Sequence, residues 1–166
     1  MSIQYYYPKT SAEKMELMKF VYDNTDSFVL NTFGYLWESR GWWDKFPIQV
    51  SKTGSVITGL HAFTIDTKAP DTIKTYYIVT SKAFRKMGIA KAVTFDMLYE
   101  FKNTGKSYYV NSEEGSDGVG FYKKMFGDFK MEINEFGTAD YIFQAPIIDI
   151  LRRSALQRRS SDDEKV

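Results

Sequence analysis

The chain contains no cysteine, which excludes disulfides, a thiolate nucleophile and cysteine-ligated zinc together. Histidine is nearly as scarce. His61 is the one histidine, so a multi-histidine metal site is ruled out. No charge of one sign dominates either, because 22 Lys and Arg stand against 21 Asp and Glu. Near-neutrality removes the global attraction on which nonspecific nucleic-acid binding depends, and no nucleic-acid partner is expected. Nowhere do about 18 apolar residues follow one another. The start, MSIQYYYPKT, has neither the basic segment nor the apolar run of a signal peptide. These absences predict a cytoplasmic protein without a membrane partner. Also missing are a serine nucleophile elbow, a P-loop Gly-Lys-Ser/Thr and any metal-ligand cluster.

Aromatic residues are abundant, with 13 Phe, 12 Tyr and 3 Trp. Such rings mostly fill cores, and a few can line a groove. A length of 166 residues suits one domain with a sizeable core. The expected organisation is a single domain over residues 1–147 and a C-terminal extension over 148–166.

Local patterns divide the chain into strands and helices. Ile3 to Tyr7 is a β-prone run stopped by Pro8. Thr10 and Glu13 have capping-box spacing and open a helix over Ser11 to Asp23, with Met15, Met18 and Tyr22 at helical spacing and Leu17 and Val21 widening the apolar face. A second helix is expected over Ser27 to Ser39. From Pro47 the period changes to two: Ile48 and Val50 alternate with polar residues, Lys52 to Gly54 turns, and Val56 to Ile65 returns as a hairpin partner. Thr72 to Thr80 is β-branched and aromatic, as a central strand is. A helix marked by Ile89, Val93, Met97, Leu98 and Phe101 follows and should stop at Gly105. Ser107 to Ser112 then completes a βαβ unit with two parallel strands. Asp117 can cap a short helix to Phe126. Two strands follow, one with Phe129, Met131 and Ile133 alternating with polar residues and one from Tyr141 to Ala145 that ends before Pro146. IIDILRRSALQ can form a further amphipathic helix, whereas RRSSDDEKV has nothing to bury and is expected to be disordered.

The chemistry concentrates in Arg85-Lys86-Met87-Gly88-Ile89-Ala90, where a strand gives way to a helix. The first N–H groups of a helix lack intrahelical partners, and the positive end of its macrodipole favours anions. Gly88 lets backbone approach a ligand without a Cβ in the way. Arg85 and Lys86 add positive charge at the edge.

RKMGIA resembles the Arg/Gln-x-x-Gly-x-Gly/Ala signature of the Gcn5-related N-acetyltransferase (GNAT) superfamily, and GFYKKMFGDF is similar to that family's following helix. The likeness extends in element order from Ile48 to Ile147 and is specific in residues only at these two patches. It implies an α/β (α+β) fold, with a mixed central sheet of about six to seven strands flanked by helices and a splayed pair of parallel strands. It also implies acetyl-CoA as cosubstrate. The pantetheine arm would pair with the backbone of Ile78, Val79 and Thr80, and the pyrophosphate would sit on the loop, with Arg85, Lys86, Met87, Gly88, Ile89 and Ala90 around it.

The activity so implied is transfer of an acetyl group to a primary amine of a small molecule or a protein. A lysine-type amine has a reference pKa of about 10.4 and must lose its proton before attack. Tyr122 matches the family's helix tyrosine and is assigned to protonating the leaving thiolate. Glu113 is the leading candidate for the base, with Glu114, or His61 through a water, as alternatives. Gly115 stands where the family commonly carries Asn, seven residues before Tyr122, and Gly118 and Gly120 weaken the short helix by up to about 1 kcal/mol each. These departures support an alternative, a catalytically degenerate GNAT-like domain serving as a binding or structural module. The acceptor pocket is expected to be shaped around Phe33 to Phe46, with Trp37, Trp42 and Trp43, and homodimerisation is left open.

Overall fold

The computed structural model describes residues 2–24, 47–65, 69, 71–115 and 117–163. The helix expected over Ser27 to Ser39 and the three tryptophans lie outside them. The described elements, in chain order, are β1 (Ile3–Tyr6), α1 (Ser11–Asn24), β2 (Ile48–Thr53), β3 (Val56–Ile65), β4 (Thr72–Thr80), a 3-10 turn (Lys82–Phe84), α2 (Ile89–Glu100), β5 (Ser107–Glu113), α3 (Asp117–Phe126), β6 (Lys130–Ile133), β7 (Ala139–Pro146) and α4 (Ile147–Asp163). The seven strands hydrogen-bond in the order β1-β2-β3-β4-β5-β7-β6. β4 and β5 run parallel, as a strand–helix–strand crossover requires, while β1–β2, β2–β3, β5–β7 and β6–β7 are antiparallel. The mixed sheet inferred from the sequence is therefore present.

Two compact units share the chain, one of residues 1–64 and 75–97 and the other of 65–74 and 98–166. In the first, α1 starts on the anticipated capping box: the Thr10 Oγ1 accepts the Glu13 N–H at 3.1 Å, and Glu13 Oε1 accepts the Thr10 N–H at 3.0 Å. Its buried face is Leu17, Phe20 and Val21, packed with Ile48, Val50, Ile57, Leu60 and Ala62 of the hairpin. The expected stripe of Met15, Met18 and Tyr22 is corrected by this packing, because Met15 and Tyr22 are 64% and 68% exposed. Phe20, wholly apolar, completes the buried face with Leu17 and Val21 instead.

In the second unit the parallel ladder covers Thr72–Ser107, Ile73–Tyr108 and Lys74–Tyr109, and β4 runs on beyond it to Thr80. The strands of this unit bury an aromatic layer against α3: Tyr108 stacks on Phe126 at 5.5 Å between centroids, and Phe143 lies 5.6 Å from both Tyr122 and Phe126. Ring pairs at these separations add to the burial of their large apolar surface.

Most element ends fall within a residue or two of the sequence expectation, and three of the differences have a local physical cause. α2 ends at Glu100 rather than Gly105, and residues 101–105 turn instead; Thr104 Oγ1 donates to the Phe101 carbonyl at 2.7 Å, the kind of local hydroxyl–backbone bond that competes with a helix. β7 extends through Pro146, because proline's missing N–H matters little at a strand's last residue. The tail expected to be disordered from Arg158 is helical through Asp163. Ile147, Ile150 and Ser154 anchor α4 in the core, and the good helix formers Leu156, Gln157, Arg158 and Arg159 then carry it on, with no glycine or proline to stop it.

Candidate functional site

The loop singled out by sequence lies wholly in the first unit. After β4, Ser81 is buried; its N–H donates to the Thr58 carbonyl at 2.8 Å and its carbonyl accepts the Phe84 N–H at 2.9 Å. The backbone is extended at Arg85, with φ −64° and ψ 147°. It then turns left-handed twice, with φ 65° at Lys86 and 79° at Gly88. A left-handed residue other than glycine costs roughly 1–2 kcal/mol, so Lys86 holds local strain of the sort that loops keep for a purpose. At Gly88 the φ itself calls for glycine, while the position of a Cβ is open, with no atom of the described residues within 4 Å.

The first hydrogen bond of α2 runs from the Ala92 N–H to the Gly88 carbonyl at 2.9 Å. The N–H groups of Ile89, Ala90 and Lys91 therefore precede the helical ladder, as the first-turn rule requires. Arg85, Lys86, Met87 and Gly88 are exposed. Among the described residues neither Arg85 nor Lys86 is ion-paired. The arrangement suits an anion: free amides, a helix dipole and two cations meet at one exposed turn.

Two supports of this loop were not anticipated. Asn24, the last residue of α1, accepts the Lys82 N–H through Oδ1 at 2.8 Å, and its own carbonyl accepts Arg85 Nη2 at 3.5 Å. Its Nδ2 donates to the Phe20 carbonyl at 2.9 Å, which fixes the amide. On the other side Gly59 of β3 brings bare backbone against the start of α2: a Cβ there would lie 2.9 Å from Ile89 Cγ2 and 3.2 Å from the Val79 carbonyl. Further along the helix, Asp96 accepts a hydrogen bond from Gln49 Nε2 on β2. No local pattern could show these pairings, because the partners are 58, 30 and 47 residues apart.

Ile78, Val79 and Thr80 form the half-buried end of β4 in the same unit. His61 is also there, but it is fully buried, with Nε2 2.7 Å from Thr75 Oγ1, Nδ1 without a partner, and the Phe63 ring 5.3 Å away. Desolvation lowers its pKa to about 3. It is a neutral core histidine, and the idea of His61 as a base acting through water is corrected by its lack of solvent access.

Tyr122 and Glu113 belong to the second unit. Tyr122 is 6% exposed, wedged edge-on against Phe121 at 5.0 Å and Phe126 at 6.3 Å. Burial pushes its phenol above the ordinary tyrosine range, partly offset by a hydrogen bond with Tyr108. Glu113 is the last residue of β5 rather than a loop residue, in register with Asp140 of β7. Glu114 follows, exposed, and its N–H donates to the Ala139 carbonyl at 2.8 Å. Among the described residues there is no group of three or more acidic or histidine side chains placed to hold a metal. No described helix is long and apolar enough to cross a membrane.

No family profile matches the chain, and no curated protein matches it in sequence. Solved structures do match its fold. A protein from Desulfovibrio desulfuricans assigned to the GNAT family of acetyltransferases superposes with a TM-score of 0.71 at 12% identity, covering 88% of this chain and 99% of that one. The PaiA N-acetyltransferase from Thermoplasma acidophilum, in complex with coenzyme A, gives 0.66 at 14% identity, covering 88% and 99%. An aminoglycoside 6'-N-acetyltransferase complexed with coenzyme A gives 0.64 at 11% identity, covering 89% and 98%. The chain has the GNAT fold, and the resemblance drawn from its loop and helix is upheld at the level of fold.

Proposed function

We propose that this chain is an N-acyltransferase that moves an acetyl group from acetyl-CoA to a primary amine of a small molecule or a protein. The observation that carries the reading is the turn at the start of α2, where the Ile89, Ala90 and Lys91 amides lie ahead of the helical ladder behind two left-handed residues and two exposed cations. These amides, with those of Met87 and Gly88, would receive the pyrophosphate, and Arg85 and Lys86 would add charge-assisted contacts. The backbone of Ile78, Val79 and Thr80 would hold the pantetheine arm. Two coenzyme A complexes among proteins of this fold support the assignment.

When bound, acetyl-CoA supplies an acyl group activated as a thioester. The chain must then position the amine, remove its proton and return a proton to the departing sulfur. Tyr122 is assigned to the last task; as a phenol it is protonated at neutral pH and has a proton to give. Glu113 is assigned to accept the amine proton. Positioning of the two substrates supplies much of the remaining acceleration.

The near-complete burial of Tyr122 and its bond to Tyr108 favour one second reading, a domain that keeps the loop but serves as a binding module. Calorimetric titration with acetyl-CoA, on the wild type and on Gly88→Val, combined with thiol release across a panel of amines, separates the two. Binding that is weakened by the substitution, together with thiol release, is the expected result. Binding without release from any amine would support the module, and no binding at all would remove both readings.

A further inference from the structure

Among the described residues β6 is the last strand of the sheet, bonded to β7 on one side only. All four of its residues are exposed. The apolar side chains of the strand and of the residue before it are unusual for a free edge: Phe129, Met131 and Ile133 are 43%, 59% and 68% exposed. They share one face, the face on which Phe129 meets Tyr141 and Phe143 at 5.2 and 5.8 Å; Lys123 Nζ lies over the Phe129 and Tyr141 rings at 4.9 and 5.0 Å, while Met131 and Ile133 at the rim stay exposed. Natural proteins usually blunt such an edge with inward charges or proline on the strand itself, and Met131 and Ile133 of β6 are neither.

The direction of the free backbone groups follows from the pairing with β7. The Asn134 N–H donates to the Thr138 carbonyl at 2.9 Å. By alternation Glu132 and Lys130 also turn their N–H and C=O towards β7, and Met131 and Ile133 turn theirs outward. The Ala139 carbonyl agrees, since opposite Ile133 it points away to the Glu114 N–H at 2.8 Å. Any strand joining this edge must therefore bond to Phe129, Met131 and Ile133.

We propose that the occupant is β6 of a second copy of this chain, paired antiparallel about a two-fold axis through Met131. A two-fold allows three registers that satisfy the outward groups near the strand's centre. Centring on Lys130 sets lysine against lysine, and centring on Glu132 sets glutamate against glutamate; like charges directly opposite destabilise a sheet. Centring on Met131 sets Lys130 against Glu132 of the second copy, and the reverse by symmetry. On the apolar face it places Met131 beside its own copy and Phe129 beside Ile133. Neither Lys130 nor Glu132 has an ion-pair partner among the described residues of its own chain, so both are free for this exchange.

Sedimentation over a concentration series tests the register. The wild type is expected to dimerise reversibly. Lys130→Glu or Glu132→Lys alone sets like charges opposite each other twice per dimer and should weaken association roughly tenfold or more, whereas the double exchange should restore it. Both positions are exposed, so circular dichroism should show the fold intact. Because the chain has no cysteine, Met131→Cys should form a disulfide dimer under mild oxidation, its Cα separation of about 5.5 Å in a bonded pair being suitable; Lys130→Cys, which opposes Glu132 rather than itself, should not. A wild type that stays monomeric at every attainable concentration overturns the proposal. So does a dimer indifferent to the single charge changes, which would associate through another surface.

Discussion

The side chain of Asn24, at the end of α1, accepts the N–H of Lys82 at 2.8 Å, tying the first helix to the turn that precedes α2. With the Phe20 carbonyl holding its amide nitrogen, the oxygen can point only at the loop. Asn24→Ala removes an acceptor from Lys82 without disturbing the core residues of α1. The expected outcome is a wild-type thermal melt within about 1 kcal/mol and an acetyl-CoA affinity lower by roughly 5- to 10-fold, read by calorimetry. An affinity unchanged from wild type would mean the tether has no bearing on the ligand.

The two glycines inside α3 should respond oppositely to alanine. At Gly118 a Cβ would stand 2.7 Å from Ser112 Oγ and 3.4 Å from the Tyr122 ring; at Gly120 it would meet nothing within 4 Å. Gly120→Ala should therefore stabilise the protein by up to about 1 kcal/mol through helix propensity alone. Gly118→Ala must push the Ser112 hydroxyl aside and should destabilise by about 1 kcal/mol. Urea unfolding of both variants checks the contrast, and equal shifts would contradict the packing described for this helix.

His61 makes stability depend on pH. Its folded pKa is about 3 against 6.5 for the free side chain, so between these values the unfolded chain binds a proton that the folded chain does not. Stability from this group is complete above pH 6.5 and falls with acidification, by at most about 1.4 kcal/mol per pH unit. Carboxylates add their own effect only lower down, so the interval from about pH 6.5 to 5 belongs mainly to His61. The urea midpoint should drop across that interval in the wild type and stay nearly level in His61→Gln. A level wild-type curve would show that the imidazole reaches solvent in the folded state.

The legible part of this protein was the part written in adjacent residues. The capping box of Thr10 and Glu13, the alternation on either side of Gly54, the βαβ order and the junction at Gly88 all depend on contacts within a few positions, and each is where the pattern placed it. The less legible part depended on competition or distance. On α1 the expected Leu17 and Val21 do face the sheet, but Phe20 joins them in place of Met15 and Tyr22, because the sheet selects among several apolar stripes. Asn24, Gly59 and Gln49 support the loop and α2 from elements far away in sequence, and nothing local marks them. Tyr122 shows both sides, since its position on α3 was readable while its bond to Tyr108 across the unit was not.

That bond sets up the last prediction. If the Tyr122 hydroxyl gives a proton to the departing thiolate, it must do so against the upward push of burial on its pKa, which the hydrogen bond with Tyr108 partly offsets. Tyr122→Phe keeps the ring contacts with Phe121, Phe126 and Phe143 and deletes the oxygen alone. Stability should fall by about 1 kcal/mol for the lost hydrogen bond. The rate constant kcat should fall by about 10²-fold or more, with KM for acetyl-CoA little changed, because the loop at Gly88 is untouched. Tyr108→Phe separates orientation from chemistry: it should cost similar stability but a smaller part of the rate. Steady-state thiol release on both variants decides the assignment, and an undiminished kcat in Tyr122→Phe would leave Tyr122 as a core aromatic only.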